Sequence, residues 1–137
     1  MGAGLKKLTD EQVAWVIHEA HRALQMTDPL HPNNVMPAPP WVTMTRRQKA
    51  IVTGLPRLVR REKRETDPVE WLLLPDSILA EKAHSLWTEE MIRDGWAWGK
   101  EKDPIRKTHP DLVSWPQLPE YEKSKSLQAV AIARVHI

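Results

Sequence analysis

Apolar residues recur every three to four positions near the start of the chain, which is the spacing of one helix face. The preceding pattern Thr9-x-x-Gln12 is typical of a capping box, and Asp28-Pro29 is typical of a helix end. We therefore predict a helix over residues 10–26. Its apolar stripe consists of Val13, Val16, Ile17, Ala20, Ala23 and Leu24.

The next stretch changes character. Five prolines in residues 29–40 predict an extended, stiffened loop, and we expect Trp41 directly after them to pin this loop to the core. Residues 43–64 return to a helical pattern, which Gly54 and Pro56 interrupt.

A second long apolar stripe follows in the latter part of the chain. A short apolar run, residues 71–74, is closed by Pro75, and Asp76 can cap the helix that comes next. Gly95 is suited to the position just beyond the end of that helix. Its apolar side consists of Ile78, Leu79, Ala83, Leu86, Trp87 and Met91.

Two short runs, residues 96–99 and 112–115, flank a charged loop and predict an irregular β-hairpin. Leu118-Pro119 can start a final helix, because proline suits the first helical position. The patterns together predict a mainly α, compact single domain over residues 1–137, with about four helices and one short β-hairpin. Residues 1–66 would form its N-terminal half and residues 67–137 its C-terminal half.

The amino-acid composition limits the kinds of function that the chain can have. The 137 residues include no cysteine, which excludes disulfides and thiolate metal sites and fits a cytoplasmic protein. No stretch approaches the roughly 18 apolar residues of a transmembrane helix, so we expect no membrane partner. A net charge of +2 gives no overall attraction for nucleic acid. Seven tryptophans against one tyrosine and no phenylalanine are unusual, and some of these indoles can form a stacking surface.

Charge is uneven along the chain. Eight basic residues lie in residues 46–64 against one acid, Glu62. A solvated basic face is the simpler interpretation, and a rim that attracts anions is the alternative.

Several short motifs follow one another in the C-terminal half: His84-Ser-Leu-Trp87, Asp94-Gly-Trp-Ala-Trp-Gly99, Lys102-Asp103, Lys107-x-His109-Pro110-x-Leu112-Val113 and Leu118-Pro119-x-x-Glu122-Lys123. Their order resembles that of the RyR domain, the repeat module of ryanodine receptors. Residues 16–22, VIHEAHR, are similar to the first helix of stand-alone bacterial and phage members, whose setting would be the cytoplasm, the host's in the case of a phage. His18 and His84 each lie in the middle of a predicted helix, which suggests two related halves.

The resemblance implies a nucleotide-derived ligand, adenine-containing among the options. Tryptophan can stack on a flat base, worth about 1–3 kcal/mol per base, and lysine or arginine can bind phosphate. On these grounds we predict a non-catalytic domain that senses or sequesters such a molecule. The predicted ligand-binding residues are Trp87, Trp98, Trp115, His18, His84, Arg22, Lys102 and Lys107.

Other chemistry is weaker in the sequence. His18 and His21 share a helix face, but the spacing misses the zinc-protease pattern and no third ligand is evident, so we expect no metal and no cofactor. No nucleophile–base spacing and no glycine-rich phosphate loop occurs, so we expect no enzyme. The alternative function is a protein-interaction or structural module without a small ligand, and a homodimer stays open.

Overall fold

A computed structural model describes residues 7–27 and 38–137, and this part of the chain is mainly helical, as predicted. The four long helices, which match the predicted number, are joined by two short ones and a two-stranded ribbon. The elements are α1 (Asp10–Thr27), α2 (Arg46–Val52), α3 (Gly54–Glu65), α4 (Pro68–Leu73), α5 (Asp76–Arg93), β1 (Ala97–Trp98), β2 (Thr108–His109) and α6 (Glu120–His136).

Local sequence explains most helix ends. The predicted capping box before α1 is present: Thr9 N–H donates to Gln12 Oε1 at 2.9 Å, and Gln12 N–H donates to Thr9 Oγ1 at 3.2 Å. A second capping box, between Thr45 and Gln48, begins α2 and escaped prediction. The predicted interruption in residues 43–64 is confirmed, because α2 ends at Val52 and a new helix, α3, begins at Gly54.

Two predicted helix starts are wrong in detail. Asp76 does not cap α5: it is the first helical residue, and its carboxylate accepts a hydrogen bond from Arg134 Nη1 at 3.0 Å. Pro119 is not the first residue of α6 but precedes it. Gly95 follows α5 with φ +89°, as the sequence predicted.

The predicted hairpin is wrong in direction. β1 and β2 are parallel, with Ala97 opposite Thr108 and Trp98 opposite His109. The intervening loop turns back on itself, since Asp103 and Thr108 exchange backbone hydrogen bonds of 2.9 and 3.0 Å. This extra reversal makes β2 run in the same direction as β1. Residues 112–115, the predicted second strand, lead instead into a 3₁₀ turn at Trp115–Gln117.

Gly99 allows the ribbon to close. A Cβ atom at this position would lie 2.5 Å from Thr108 Cβ, far inside van der Waals contact. Only glycine lets the two strands approach this closely, so the ribbon places β2 and the residues after it firmly beside α5.

The described residues of both halves share one core. Trp41 is buried, as expected for the residue that follows the proline-rich segment, although residues 28–37 of that segment lie outside the described residues. The central cluster contains Val13, Ile17, Val59, Trp71, Leu79, Ala80, Ala129, Val130, Ala133 and Ile137.

The two halves are internally related. Both α1 and α5 have 18 residues, and every buried residue of α1 has a buried counterpart at the same position in α5. The correspondence of His18 with His84 therefore extends along the whole helix. The matched pairs are Val13 and Leu79, Ala14 and Ala80, Ile17 and Ala83, His18 and His84, and Gln25 and Met91.

The correspondence continues into the next helices. A 3₁₀ turn beginning with a tryptophan, Trp41 or Trp115, precedes α2 and α6 respectively. Eight residues further on in each half, a lysine ammonium lies over that indole, Lys49 at 5.4 Å and Lys123 at 5.8 Å from the ring centroid. The chain thus contains the same arrangement twice: a long helix, a 3₁₀ turn that begins with tryptophan, and a second helix that carries the lysine.

Candidate ligand-binding cleft

A cleft of about 790 Å³ lies between the two halves. The long helices α1, α3, α5 and α6 all contribute to its wall, together with α2 and the segment after β2. Its volume falls within the range of about 300–1,000 Å³ that small-molecule sites occupy. The size of the cleft therefore suits a small-molecule ligand.

Matched histidines form part of its wall. His18 Nε2 donates to the carbonyl oxygen of Pro39 at 2.6 Å, and His84 Nε2 donates to that of Val113 at 2.7 Å. Each bond ties the segment before Trp41 or Trp115 to the middle of a long helix. Because a carbonyl can only accept, these bonds place a proton on Nε2 in both rings.

Trp87 gives the cleft an aromatic side. Its indole is half-buried and stacks on His84, with ring centroids 5.6 Å apart and planes at 28°. His109 lies edge-on to the same indole at 5.1 Å and 79°. All three rings line the cleft, so a flat ligand would meet an aromatic group here.

A polar cluster lies beside this aromatic side. His21 Nε2 donates to the carbonyl oxygen of Lys125 at 3.1 Å, and Lys125 Nζ lies 2.9 Å from a carboxylate oxygen of the buried Glu122. Asp111 lines the cleft next to them. These residues come from α1, α6 and the segment after β2, which only the tertiary fold brings together.

Burial decides the protonation of this polar cluster. It raises the pKa of Asp111 well above the usual carboxyl range, and a hydrogen bond to the Glu122 carboxyl group raises it further. Asp111 Oδ1 is buried and receives no donor from any group in the described ranges. A proton held between these two carboxyl groups accounts for the raised pKa.

Two histidines, His21 of the polar cluster and His109 beside it, are neutral at physiological pH. Burial lowers the pKa of His21 to about 4, against a partial offset from its bond to Lys125. Burial, followed by the charge of Lys102, lowers the pKa of His109 to about 4 as well. Lys102 itself has a lowered pKa because of burial and the neighbouring Lys125. The polar cluster thus offers neutral rings and few net charges.

Cations reach the cleft from α3. Arg57, Arg61 and Arg64 are spaced so that they share one face of the helix, and all three line the cleft. Within the described residues none of them forms an ion pair, whereas the neighbouring Arg60 binds Asp10 at 2.7 Å. We call these three residues the arginine stripe. They supply unpaired positive charge, which fits the anion-attracting alternative for the basic segment.

The predicted ligand-binding residues divide into two groups. Trp87, His18 and His84 line the cleft. Trp98 is 60% exposed on β1, and Trp115 packs against the core, with its ring centroid 6.1 Å from that of His84.

The predicted cations lie outside the cleft lining. Arg22 is engaged by Glu19 at 2.6 Å and by the carbonyl oxygen of Ala38 at 3.1 Å. Lys107 donates to the carbonyl oxygen of Asp94 at 2.6 Å. Lys102 is near the polar cluster without lining the cleft.

Sequence patterns missed half of this site. His21 was considered only as a metal ligand, and His109 only as part of a motif; the structure places both in the cleft wall. Asp111 carried no signal of its own, and Glu122 appeared only within a motif, because their role depends on their mutual burial. The excess of basic residues in residues 46–64 was the signal for the arginine stripe.

Two further observations concern metal binding and membrane-spanning helices. Within residues 7–27 and 38–137, no group of three or more His, Asp or Glu side chains is arranged to hold a metal ion. Among the helices of the same ranges, none combines the length and apolarity needed to cross a bilayer.

A comparison with protein families matches residues 74–133 to the RyR domain. The matched segment contains α5, the ribbon and most of α6, and therefore Trp87, His109 and the carboxyl pair of the polar cluster. The arginine stripe and the histidines of α1 precede it. Over residues 74–133, this chain is therefore similar to the RyR domain.

Proposed function

We propose that this domain binds a nucleotide-derived small molecule in the cleft and carries out no reaction on it. The observation that supports this most is the combination, in one cleft, of the half-buried Trp87 with the unpaired arginine stripe. An indole suits the face of a base, and guanidinium groups suit phosphate oxygens. Binding alone would serve to sense or sequester the ligand, and the lack of cysteine favours a cytoplasmic setting.

The proposal revises which cations meet the phosphates. Lys107 is held by Asp94, and Arg22 by Glu19 and a backbone carbonyl, so both would have to break existing bonds. Arg57, Arg61 and Arg64 have no such bonds among the described residues and already line the cleft. We therefore assign the anionic part of the ligand to the arginine stripe and the ring to Trp87.

The test is isothermal titration calorimetry with ATP, ADP-ribose, cyclic di-AMP and cyclic di-GMP. We expect at least one adenine-containing compound to bind the wild-type protein. Trp87→Ala should weaken that binding about fivefold or more, given about 1–3 kcal/mol per stacked base. The matched control Trp98→Ala removes an exposed indole outside the cleft and should leave affinity unchanged.

A second pair of variants tests the charge. Arg61→Ala should weaken binding, and the loss should shrink as salt is added, because exposed charges are screened. Arg106→Ala removes a guanidinium whose side chain is 84% exposed on the ribbon loop and serves as the control. Circular dichroism of all four variants should stay native. A wild-type protein that binds none of the four compounds would overturn the proposal.

The alternative, a protein-interaction module, has one observation of its own. Val69, Leu72 and Leu73 on the short helix α4 are 64%, 79% and 76% exposed. Clustered exposed apolar side chains are typical of contact surfaces. A protein that ignores nucleotides but loses self-association or partner binding on Leu72→Ser would favour this function.

A further inference from the structure

The backbone of His109 is fixed by the ribbon. His109 lies opposite Trp98 in the parallel register, and its carbonyl oxygen accepts hydrogen bonds from Gly99 N–H and Leu112 N–H, both at 3.4 Å. The close approach of Gly99 to Thr108 leaves this part of the ribbon little room to shift. The ring of His109 is therefore carried into the cleft wall on a rigid support.

A single hydrogen bond fixes which ring nitrogen carries the proton. Asp111 N–H donates to His109 Nδ1 at 3.0 Å. A backbone N–H can only donate, so Nδ1 must accept and carries no proton. In the neutral ring the proton consequently resides on Nε2.

The surroundings keep this ring neutral. Burial disfavours its charged form most, and the ammonium groups of Lys102 and Lys125 and the nearby His84 act in the same direction. Glu122 opposes them without prevailing. At physiological pH the ring therefore presents one donor, Nε2–H.

That donor has no acceptor in residues 7–27 and 38–137. The other contacts of the ring are aromatic, edge-on to Trp87 at 5.1 Å and to Trp96 at 6.3 Å. Nε2 is also absent from the fully buried, unpartnered polar atoms of the described chain, which fits a donor open to the cleft. An open donor beside a stacking surface is suited to the edge of a flat ligand.

We propose that His109 Nε2–H donates a hydrogen bond to an acceptor on the edge of the ring that stacks on Trp87, and so selects for heteroaromatic ligands with a ring nitrogen or carbonyl oxygen there. This inference rests on the proposed function. It adds a specificity-determining residue and states the chemistry that the ligand edge must have. A ring with only C–H groups at that edge would leave the donor unpaired and bind more weakly.

Two substitutions separate the ring's two nitrogens. His109→Asn keeps an amide oxygen near the Nδ1 position, where it can still accept from Asp111 N–H, but removes the donor at Nε2. His109→Gln keeps a donor near Nε2 and loses the acceptor near Nδ1. We expect His109→Asn to keep the wild-type thermal midpoint and lose about tenfold in affinity, since one hydrogen bond is worth about 1 kcal/mol and an unpaired group costs more. His109→Gln should retain more of the affinity.

The decisive experiment uses ATP or GTP, whichever the wild-type protein binds more tightly, and analogues that each lack one acceptor on the base. These are the 1-deaza, 3-deaza and 7-deaza compounds and, for GTP, the 2-aminopurine nucleotide, which lacks the 6-carbonyl oxygen. We expect one analogue to bind the wild-type protein much more weakly than its parent. His109→Asn should bind that analogue and the parent equally. If the wild-type protein and His109→Asn prefer the parent nucleotide over the analogue to the same degree, the role of His109 is overturned. The proposed function would still stand. Binding of neither ATP nor GTP to the wild-type protein would overturn the assignment of His109, while the proposed function would then depend on the other compounds of the panel.

Discussion

The two halves of this protein share a framework and differ in the chemistry of their inner walls. The position of Trp87 in α5 corresponds to that of His21 in α1, and the position of Lys125 in α6 corresponds to that of Ile51 in α2. All four line the cleft. The C-terminal half therefore presents an indole and a lysine at positions where the N-terminal half presents an imidazole and an aliphatic side chain. The framework repeats, and the departures from it create the site.

A glutamate shows how such a departure arises. Gln48 at the start of α2 closes a capping box with Thr45 and stays exposed. The corresponding residue of α6, Glu122, follows Pro119, which offers no side-chain cap. Glu122 is instead buried, with Lys125 Nζ at 2.9 Å and a hydrogen bond to Asp111. A residue that only caps a helix in one half thus belongs to the polar cluster in the other.

The largest difference between the halves should appear at the two tryptophans of the 3₁₀ turns. Trp41 is 2% exposed, whereas Trp115 is only half-buried. Trp41→Ala should lower the free energy of unfolding by about 3–5 kcal/mol, the usual cost of a buried tryptophan, and Trp115→Ala by less. Urea unfolding measures both, with Trp98→Ala as an exposed control. If Trp115→Ala lowers the free energy of unfolding more than Trp41→Ala does, the expected difference between the halves is wrong.

The matched histidines should instead behave alike. His18→Ala and His84→Ala each leave a partly buried carbonyl oxygen without its donor, which costs about 1–3 kcal/mol of the free energy of unfolding. We expect the two losses to be similar in thermal or urea unfolding. Ser85→Ala, an exposed change on α5, should cost almost nothing. A loss at one histidine only would show that the two halves are not equivalent at this bond.

The pH dependence of stability should come from the polar cluster and His109. His21 and His109 have folded-state pKa values of about 4, below their ordinary value of 6.5. Their contribution to stability is therefore present above pH 6.5 and lost as pH falls toward 4. Asp111 has a raised pKa, so its contribution is present at low pH and lost as pH rises through the folded-state value.

Urea unfolding between pH 4 and pH 9 tests both signs. His109→Asn should flatten the acid side of the stability profile, and Asp111→Asn should flatten the alkaline side. If the free energy of unfolding of both variants changes with pH as steeply as that of the wild-type protein, the protonation described for the cluster is contradicted.

Local patterns predicted the helices better than the site. The capping box at Thr9 and the positive φ of Gly95 depend on a few neighbouring residues, so sequence alone identifies them. The direction of the ribbon depends on a turn at Asp103 that reverses the chain once more, and no alternating pattern signals it.

The site depends on long-range contacts, which explains the errors there. Lys107 looked available in the sequence, but Asp94 holds it. His21 acquires its role only because the carbonyl oxygen of Lys125, more than a hundred positions away, is its partner. Trp87 does line the cleft, and both its helix position and its motif point to that surface.

The central claim, a ligand site in the cleft with Trp87 as its aromatic surface, is tested most directly by nuclear magnetic resonance. A ¹H–¹⁵N spectrum resolves the indole N–H signals of the seven tryptophans, which single substitutions can assign. On titration with the nucleotide that binds most tightly, the Trp87 signal should shift most, while those of Trp15 and Trp98 should stay in place. A largest shift at Trp15 or Trp98, or no shift with any compound of the panel, would contradict the account.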